Sequence, residues 1–222
     1  MLKQLLSLIL AINQPNESLL EQYLSQIQES QINHAQNSED SLNRRLMEAA
    51  DEKAKENIYS AIPIYRSIII NNGALKEEAI QKVGQIYKNL AFNKYSSEPA
   101  IEIAMNFYNE VIKRHQDSPY LAEAYLNSGR LICHNEWKKD FGESVRRLEK
   151  AYDTATDNKV KAEARWTLAH IIIDHAQINP KVFPLKKAEA YLKEVIKLVP
   201  ESQLAEDSKK ELKLWKLNKF LY

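Results

Sequence analysis

Apolar residues return every three or four positions along almost the whole chain, and the two-residue alternation of a half-buried strand is absent. Leu42, Leu46, Ala49 and Ala50, for instance, fall on one face of a helix. Breaks of polar or small residues divide this pattern into pieces of similar size. Asn13-Gln14-Pro15-Asn16 separates a first helix from a second over 18–31, residues 33–38 read as a polar link, and Asp40 or Ser41 can cap the helix that follows. Pro63 would break a helix interior but fits a first turn. The next helix is therefore predicted over 60–70, ending before Asn71-Asn72-Gly73.

The same reading places helices over 75–92, 98–115, 120–134, 140–154 and 159–176, then, after a longer loop with Pro180 and Pro184, over 185–199 and 202–220. Short helices joined by short links are expected to pack antiparallel to their neighbours. The later pieces also repeat one another. Leu121-Ala-Glu-Ala124 matches Lys161-Ala-Glu-Ala164 and, more loosely, Leu204-Ala-Glu-Asp207, while Glu110-Val-Ile-Lys113 matches Glu194-Val-Ile-Lys197. The repeat length is about 40–45 residues, inside the ~20–50 residues that mark a solenoid.

Small and large apolar residues alternate within these repeats in a telling way. Gly84 with Tyr87, Gly129 with Ile132, and Ala169 with Ile172 set a small residue three positions ahead of a large one. In the intervening helices Ala188, Leu192 and Val195 are followed by Pro200; Ala104, Tyr108 and Val111 by Gln116; Ser144, Leu148 and Ala151 by Thr156; and Ala61, Tyr65 and Ile68 by Gly73. This pattern resembles the tetratricopeptide (TPR) repeat over roughly 42–222. Small residues let two backbones approach, the large one fills the notch, and each unit buries its apolar face only against its neighbours. The units are longer than the ~34-residue TPR standard, and the signature tryptophan positions are held by Ile80, Tyr125 and Arg165. The closing stretch from Tyr191 to Ser202 is also similar to repeats of bacterial envelope-assembly TPR proteins.

The resemblance implies an all-α fold, a right-handed α-solenoid of antiparallel helix pairs. Residues 1–33 would form an N-terminal helical pair, 39–200 four TPR-like pairs, and 202–222 a C-terminal capping helix.

Composition agrees with long helices. Of 222 residues 44% are hydrophobic, enough for a packed core, and only 4 glycines and 7 prolines interrupt them, too few for glycine-rich turns or phosphate loops. Lys+Arg 31 against Asp+Glu 30 leaves a net charge of +1, which gives no reason to expect nucleic acid as partner. The single cysteine, Cys133, excludes an internal disulfide framework. The apolar stretch from Leu5 to Ile12 reads as an amphipathic first helix, because a serine interrupts it and no small-x-small cleavage site follows. No stretch approaches the ~18 apolar residues of a membrane span. A cytoplasmic location is expected, with the bacterial cell envelope as the alternative if that first stretch is an export signal.

Chemistry is sparse. There is no Gly-x-Gly-x-x-Gly, no phosphate-binding Gly-x4-Gly-Lys loop and no Gly-x-Ser-x-Gly elbow. Cys133 and His134 are adjacent, so on a helix they point about 100° apart rather than forming a nucleophile and base. His170 and Asp174 share a face, but His175 turns away, and two ligands rarely hold a metal. Asp51-Glu52 and Glu77-Glu78 read as solvated helix faces. The expectation is therefore a protein that is not an enzyme and that holds neither cofactor nor metal. Lys209, Lys213 and Lys216 form a basic stripe with Lys210 and Lys219 beside it, read chiefly as a solvated cap.

In the TPR arrangement the first helix of each unit lines a concave groove. The register puts Glu78, Gln81, Gln85, Lys88 and Asn89 there from one unit, Glu123, Leu126, Arg130, Cys133 and His134 from the next, and Glu163, Trp166, His170, Ile173 and Asp174 from the third. Acidic residues at 78, 123 and 163 argue against the lysine-rich clamp by which some TPR proteins hold a C-terminal carboxylate. The candidate partner-binding set is Gln85, Lys88, Asn89, Leu126, Arg130, His134, Trp166, His170, Ile173 and Asp174. Trp166 has two readings, a groove anchor or a core residue between units. The expected function is a scaffold or adaptor that holds a protein or peptide segment. The alternative is a structural subunit assembling with itself or a larger complex through its terminal helices, by Leu2, Leu5, Leu6, Ile9 and Leu10 at one end and Leu212, Trp215, Leu217 and Phe220 at the other.

Overall fold

The computed structural model describes residues 17–93, 97–134, 140–176 and 184–218. Among these the regular structure is helical, with no strand. The α-helices are α1 Glu17–Glu56, α2 Ile62–Asn71, α3 Lys76–Ala91, α4 Glu98–Arg114, α5 Leu121–His134, α6 Phe141–Thr154, α7 Asn158–Ala176, α8 Leu185–Leu198 and α9 Gln203–Asn218, with a 3-10 turn at Ile58–Ala61 before α2. From α3 onward each described end falls within two residues of its predicted position. The first helix, expected before residue 13, lies outside the described residues.

One correction concerns 33–38, expected to be a link. They lie inside α1, which runs unbroken for 40 residues. Polarity alone does not end a helix. Between Glu17 and Glu56 there is no glycine or proline, and glutamine and alanine are good helix formers. Asp40 and Ser41 therefore sit in a helix interior and cap nothing.

The chain divides into two compact units, Met1–Ala79 and Ile80–Tyr222, with the boundary inside α3. In the first unit α2 and the 3-10 turn pack on α1. Asn57 opens the turn, its side chain accepting from the Tyr59 amide at 3.0 Å, and Pro63 occupies the first turn of α2. Met47 and Ala50 of α1 are buried, as are Tyr65, Ile68 and Ile69 of α2, and the Tyr65 hydroxyl donates to Asp51. Asn72 closes α2 in the left-handed conformation at φ 56°, a position open to asparagine.

In the second unit α4 to α9 pack each on the next, and α7 also touches α5 and α9. Contact on several sides explains why α7 buries residues all round, including Ala162, Ala164, Leu168, Ala169, Ile171 and Ile172. The core joins these to Leu126 of α5, Leu148 and Ala151 of α6, and Ala188 and Leu192 of α8.

Two glycines mark close approaches. A Cβ on Gly129 would stand 2.9 Å from Leu148 Cγ, and Ser144 Oγ donates to the Gly129 carbonyl at 2.8 Å. A Cβ on Gly84 would overlap the Tyr120 ring, and the Tyr108 hydroxyl donates to the Gly84 carbonyl at 3.4 Å.

Arg165 links three helices. Its guanidinium pairs with Glu149 of α6 at 2.5 Å and lies 2.8 Å from Glu194 of α8, off-line for a hydrogen bond but close enough for an ion pair. It also stacks 3.6 Å from the Tyr152 ring centre and 4.6 Å from that of Tyr191.

Candidate functional site

A cleft of about 630 Å³ opens in the second unit, where side chains of α3, α5, α7 and α9 converge. Lys88 comes from α3 and Arg130 from α5. Lys159, Glu163, Trp166 and Thr167 follow one another along α7. The turn between α8 and α9 brings Val199 and Ser202, and the start of α9 adds Gln203, Leu204 and Asp207.

Local chemistry holds each wall. Asp157 accepts from the Lys159 amide at 2.8 Å, capping α7 so that Lys159 projects from its first turn. Ser202 Oγ accepts from the Ala205 amide at 3.1 Å and donates to the Val199 carbonyl at 2.7 Å, which fixes the tight entry into α9. Trp166 is half-buried and leans on the core while its ring stacks on His170 at 4.2 Å; His170 Nδ1 in turn lies 3.0 Å from the Trp166 carbonyl. The tryptophan is thus both a core and a cleft residue.

The charges are not equally committed. Arg130 pairs with Glu163 at 3.5 Å and lies over the Phe92 ring at 4.7 Å. Asp207 accepts from Gln203 at 2.9 Å and pairs with Lys210 at 3.1 Å, and these contacts hold its carboxyl below the usual range. Lys88 and Lys159, by contrast, make no ion pair among the described residues. Both face the Glu123 carboxyl, which is pushed up first by burial; the charges of Lys88 and Lys159 partly offset this, and the negative charges of Glu163 and Asp157 reinforce it.

Of the residues singled out from the sequence, the fold brings together Lys88, Arg130 and Trp166. Leu126 corrects the expectation. It is 2% exposed and sits in the core, because α7 packs over α5 and covers it. Gln85 and Asn89 lie on exposed α3 surface, joined by a 2.9 Å hydrogen bond, and do not line the cleft. His170 lies behind Trp166, Ile173 packs on the core, and Asp174 is exposed beyond the cleft. The His134 side chain lies outside the described residues.

Lys159, Thr167 and the start of α9 were missed. Lys159 had a signal, since it precedes Glu163 by four positions on one helix face. Leu204 and Asp207 had none, for they reach the cleft only through the turn after α8.

Among the described residues no group of three His, Cys, Asp or Glu is placed to hold a metal. His175, for its part, packs 4.0 Å from the Phe141 ring. Of the lysine stripe, Lys209 and Lys210 pair with Glu206 and Asp207 one turn back, and Lys213 is exposed. No helix among the described residues is long and apolar enough to cross a membrane. Compared with known proteins, the chain matches no family model, no curated protein and no solved structure.

Proposed function

We propose that this protein is a non-catalytic scaffold that holds a segment of a partner protein in the cleft of its second unit, within a TPR-like array of helix pairs. The observation that carries the reading is the convergence of Lys88, Arg130 and Trp166, from three helices, on one open cleft beside the first turn of α9. Tryptophan and arginine are the residue types that most often dominate binding energy at protein interfaces.

The repeat reading is supported by the contact at Gly129, whose Cβ place is met by Leu148, four positions after the small residue Ser144 of the following helix. A stacked array of this kind exposes a continuous surface suited to extended segments. The step from such a surface to binding rests on architecture rather than on a catalytic motif.

The test uses the partner captured from the native organism, with its affinity then measured by calorimetry. Trp166→Ala combined with Arg130→Ala should weaken binding by roughly three orders of magnitude if each costs about 2 kcal/mol, while the helical circular-dichroism spectrum persists. Lys209→Ala with Lys213→Ala should leave affinity within about twofold, because exposed charges contribute little. The opposite outcome, an essential lysine pair and a dispensable cleft pair, moves the binding surface to α9 and overturns the proposal.

A further inference from the structure

We infer that the cleft is shaped for binding before any partner arrives, because His170 and Phe92, which do not line it, hold its two anchors, Trp166 and Arg130, in place. The inference rests on the binding reading above and adds two positioning residues to it.

Trp166 leans on the core, and the His170 ring, one turn further along α7, lies against its indole with ring centres 4.2 Å apart and planes at 43°. The imidazole is itself fixed. A carbonyl oxygen only accepts, so the 3.0 Å contact of His170 Nδ1 with the Trp166 carbonyl requires the proton on Nδ1. The backbone of α7 thus orients the imidazole, and the imidazole limits the swing of the indole. His170 is half-buried and is not part of the cleft wall.

Arg130 is held in a comparable way. Its guanidinium lies 4.7 Å from the centre of the Phe92 ring and 3.5 Å from Glu163 of α7. Phe92 is tied to the last turn of α3 by its amide, which donates to the Lys88 carbonyl at 3.0 Å, and it too is absent from the cleft wall. A ring on one side and a carboxylate from another helix leave the long side chain few of the rotamers open to a free arginine.

Ordering such side chains at the moment of binding costs part of the interaction free energy. Here both anchors are ordered in the free protein. His170 and Phe92 act through the anchors, since replacing either removes no atom that lines the cleft.

The test follows the two anchors in the free chain. With Trp137→Phe and Trp215→Phe, Trp166 is the one tryptophan left, and time-resolved fluorescence anisotropy reads the motion of its indole. His170→Ala should enlarge the subnanosecond part of that motion about twofold or more, and quenching by acrylamide should rise with it. His170→Phe restores a ring and should return most of the order, whereas His170→Gln should not. For Arg130 the readout is NMR relaxation of its Nε–Hε pair. Phe92→Leu should lower the order parameter to below about 0.6, and Phe92→Tyr should keep the native value. A purely structural role would move the melting temperature of a variant without these local readouts.

Unchanged indole motion in His170→Ala, or an unchanged Arg130 order parameter in Phe92→Leu, overturns the positioning role of that residue. Equal losses in the ring-bearing and ring-free variants overturn it as well. These measurements need no partner. Their failure therefore leaves the calorimetric test of the cleft standing, and refutation of the binding reading by calorimetry leaves the ordered anchors standing.

Discussion

Gly129 lies tight against α6, with Leu148 Cγ 2.9 Å and Arg147 Cβ 3.3 Å from the place a Cβ would take. The first neighbour is a buried side chain packed in the core, with little room to yield. Gly129→Leu should therefore lower stability by about 1–3 kcal/mol through overpacking. Lys150→Leu, on the exposed side of α6, should stay within about 0.5 kcal/mol. Thermal melts of the two variants followed by circular dichroism check this, and equal melting temperatures would refute the crossing. This position was legible in the sequence, because small and large residues at fixed offsets encode a close contact. Leu126 was not. Its register puts it beside Arg130, but whether a helix covers it depends on where α7 comes to rest.

At the scale of helices, α6, α7 and α8 are joined by polar as well as apolar contacts. Arg165 stacks between Tyr152 and Tyr191 and pairs with Glu149 and Glu194, while the Tyr191 hydroxyl donates to Glu149 at 2.6 Å and that of Tyr152 to Glu194. Arg165→Leu leaves these carboxylates without their shared cation and should cost about 1–3 kcal/mol. The network also sets a pH dependence. Burial pushes the Glu149 carboxyl up, but hydrogen bonds from Tyr191 and Arg165, with the charges of Arg165 and Lys187, outweigh it and hold the group below its ordinary 4.5.

A depressed folded value means that this stabilisation is present above the ordinary 4.5 and is lost as pH falls through the lower folded value. Melting temperatures measured below pH 5 should thus fall less steeply for Glu149→Gln than for the native chain. A parallel decline would show that Glu149 has no special partner. Arg165 was noticed in the sequence only as a departure from the TPR tryptophan. Its role needs Glu149 and Glu194, which lie 16 residues before it and 29 after it in the chain.

For the molecule as a whole, the second unit depends on its last helix. α9 packs on α8 and touches α7, burying Ala205 and Ser208 and setting Leu212 against the core. It also supplies one wall of the cleft. Removing residues 202–222 should lower stability by about 2–4 kcal/mol, because it exposes the apolar surface of α7 and α8 on which α9 packs. Partner affinity should then fall even at temperatures where the shortened chain is fully helical. Combined melts and calorimetric titrations separate the two effects, and full affinity in the shortened chain would place the binding surface away from α9.

The sequence by itself determined the elements of this protein. Period, glycine, proline and capping residues are local signals, and they placed α3 to α9 nearly to the residue. They failed at 33–38, where a polar run was read as a break although nothing there opposes a helix. It was the TPR resemblance, rather than these signals, that put Lys88, Arg130 and Trp166 among ten candidates for one surface. Only the tertiary structure decided that Leu126 is covered, that Arg130 is paired with Glu163 while Lys88 and Lys159 are not, and that the start of α9 closes the cleft. The physical reason is range. Helix propensity and capping act within a few residues, but burial and ion pairing depend on which distant side chains are packed against one another.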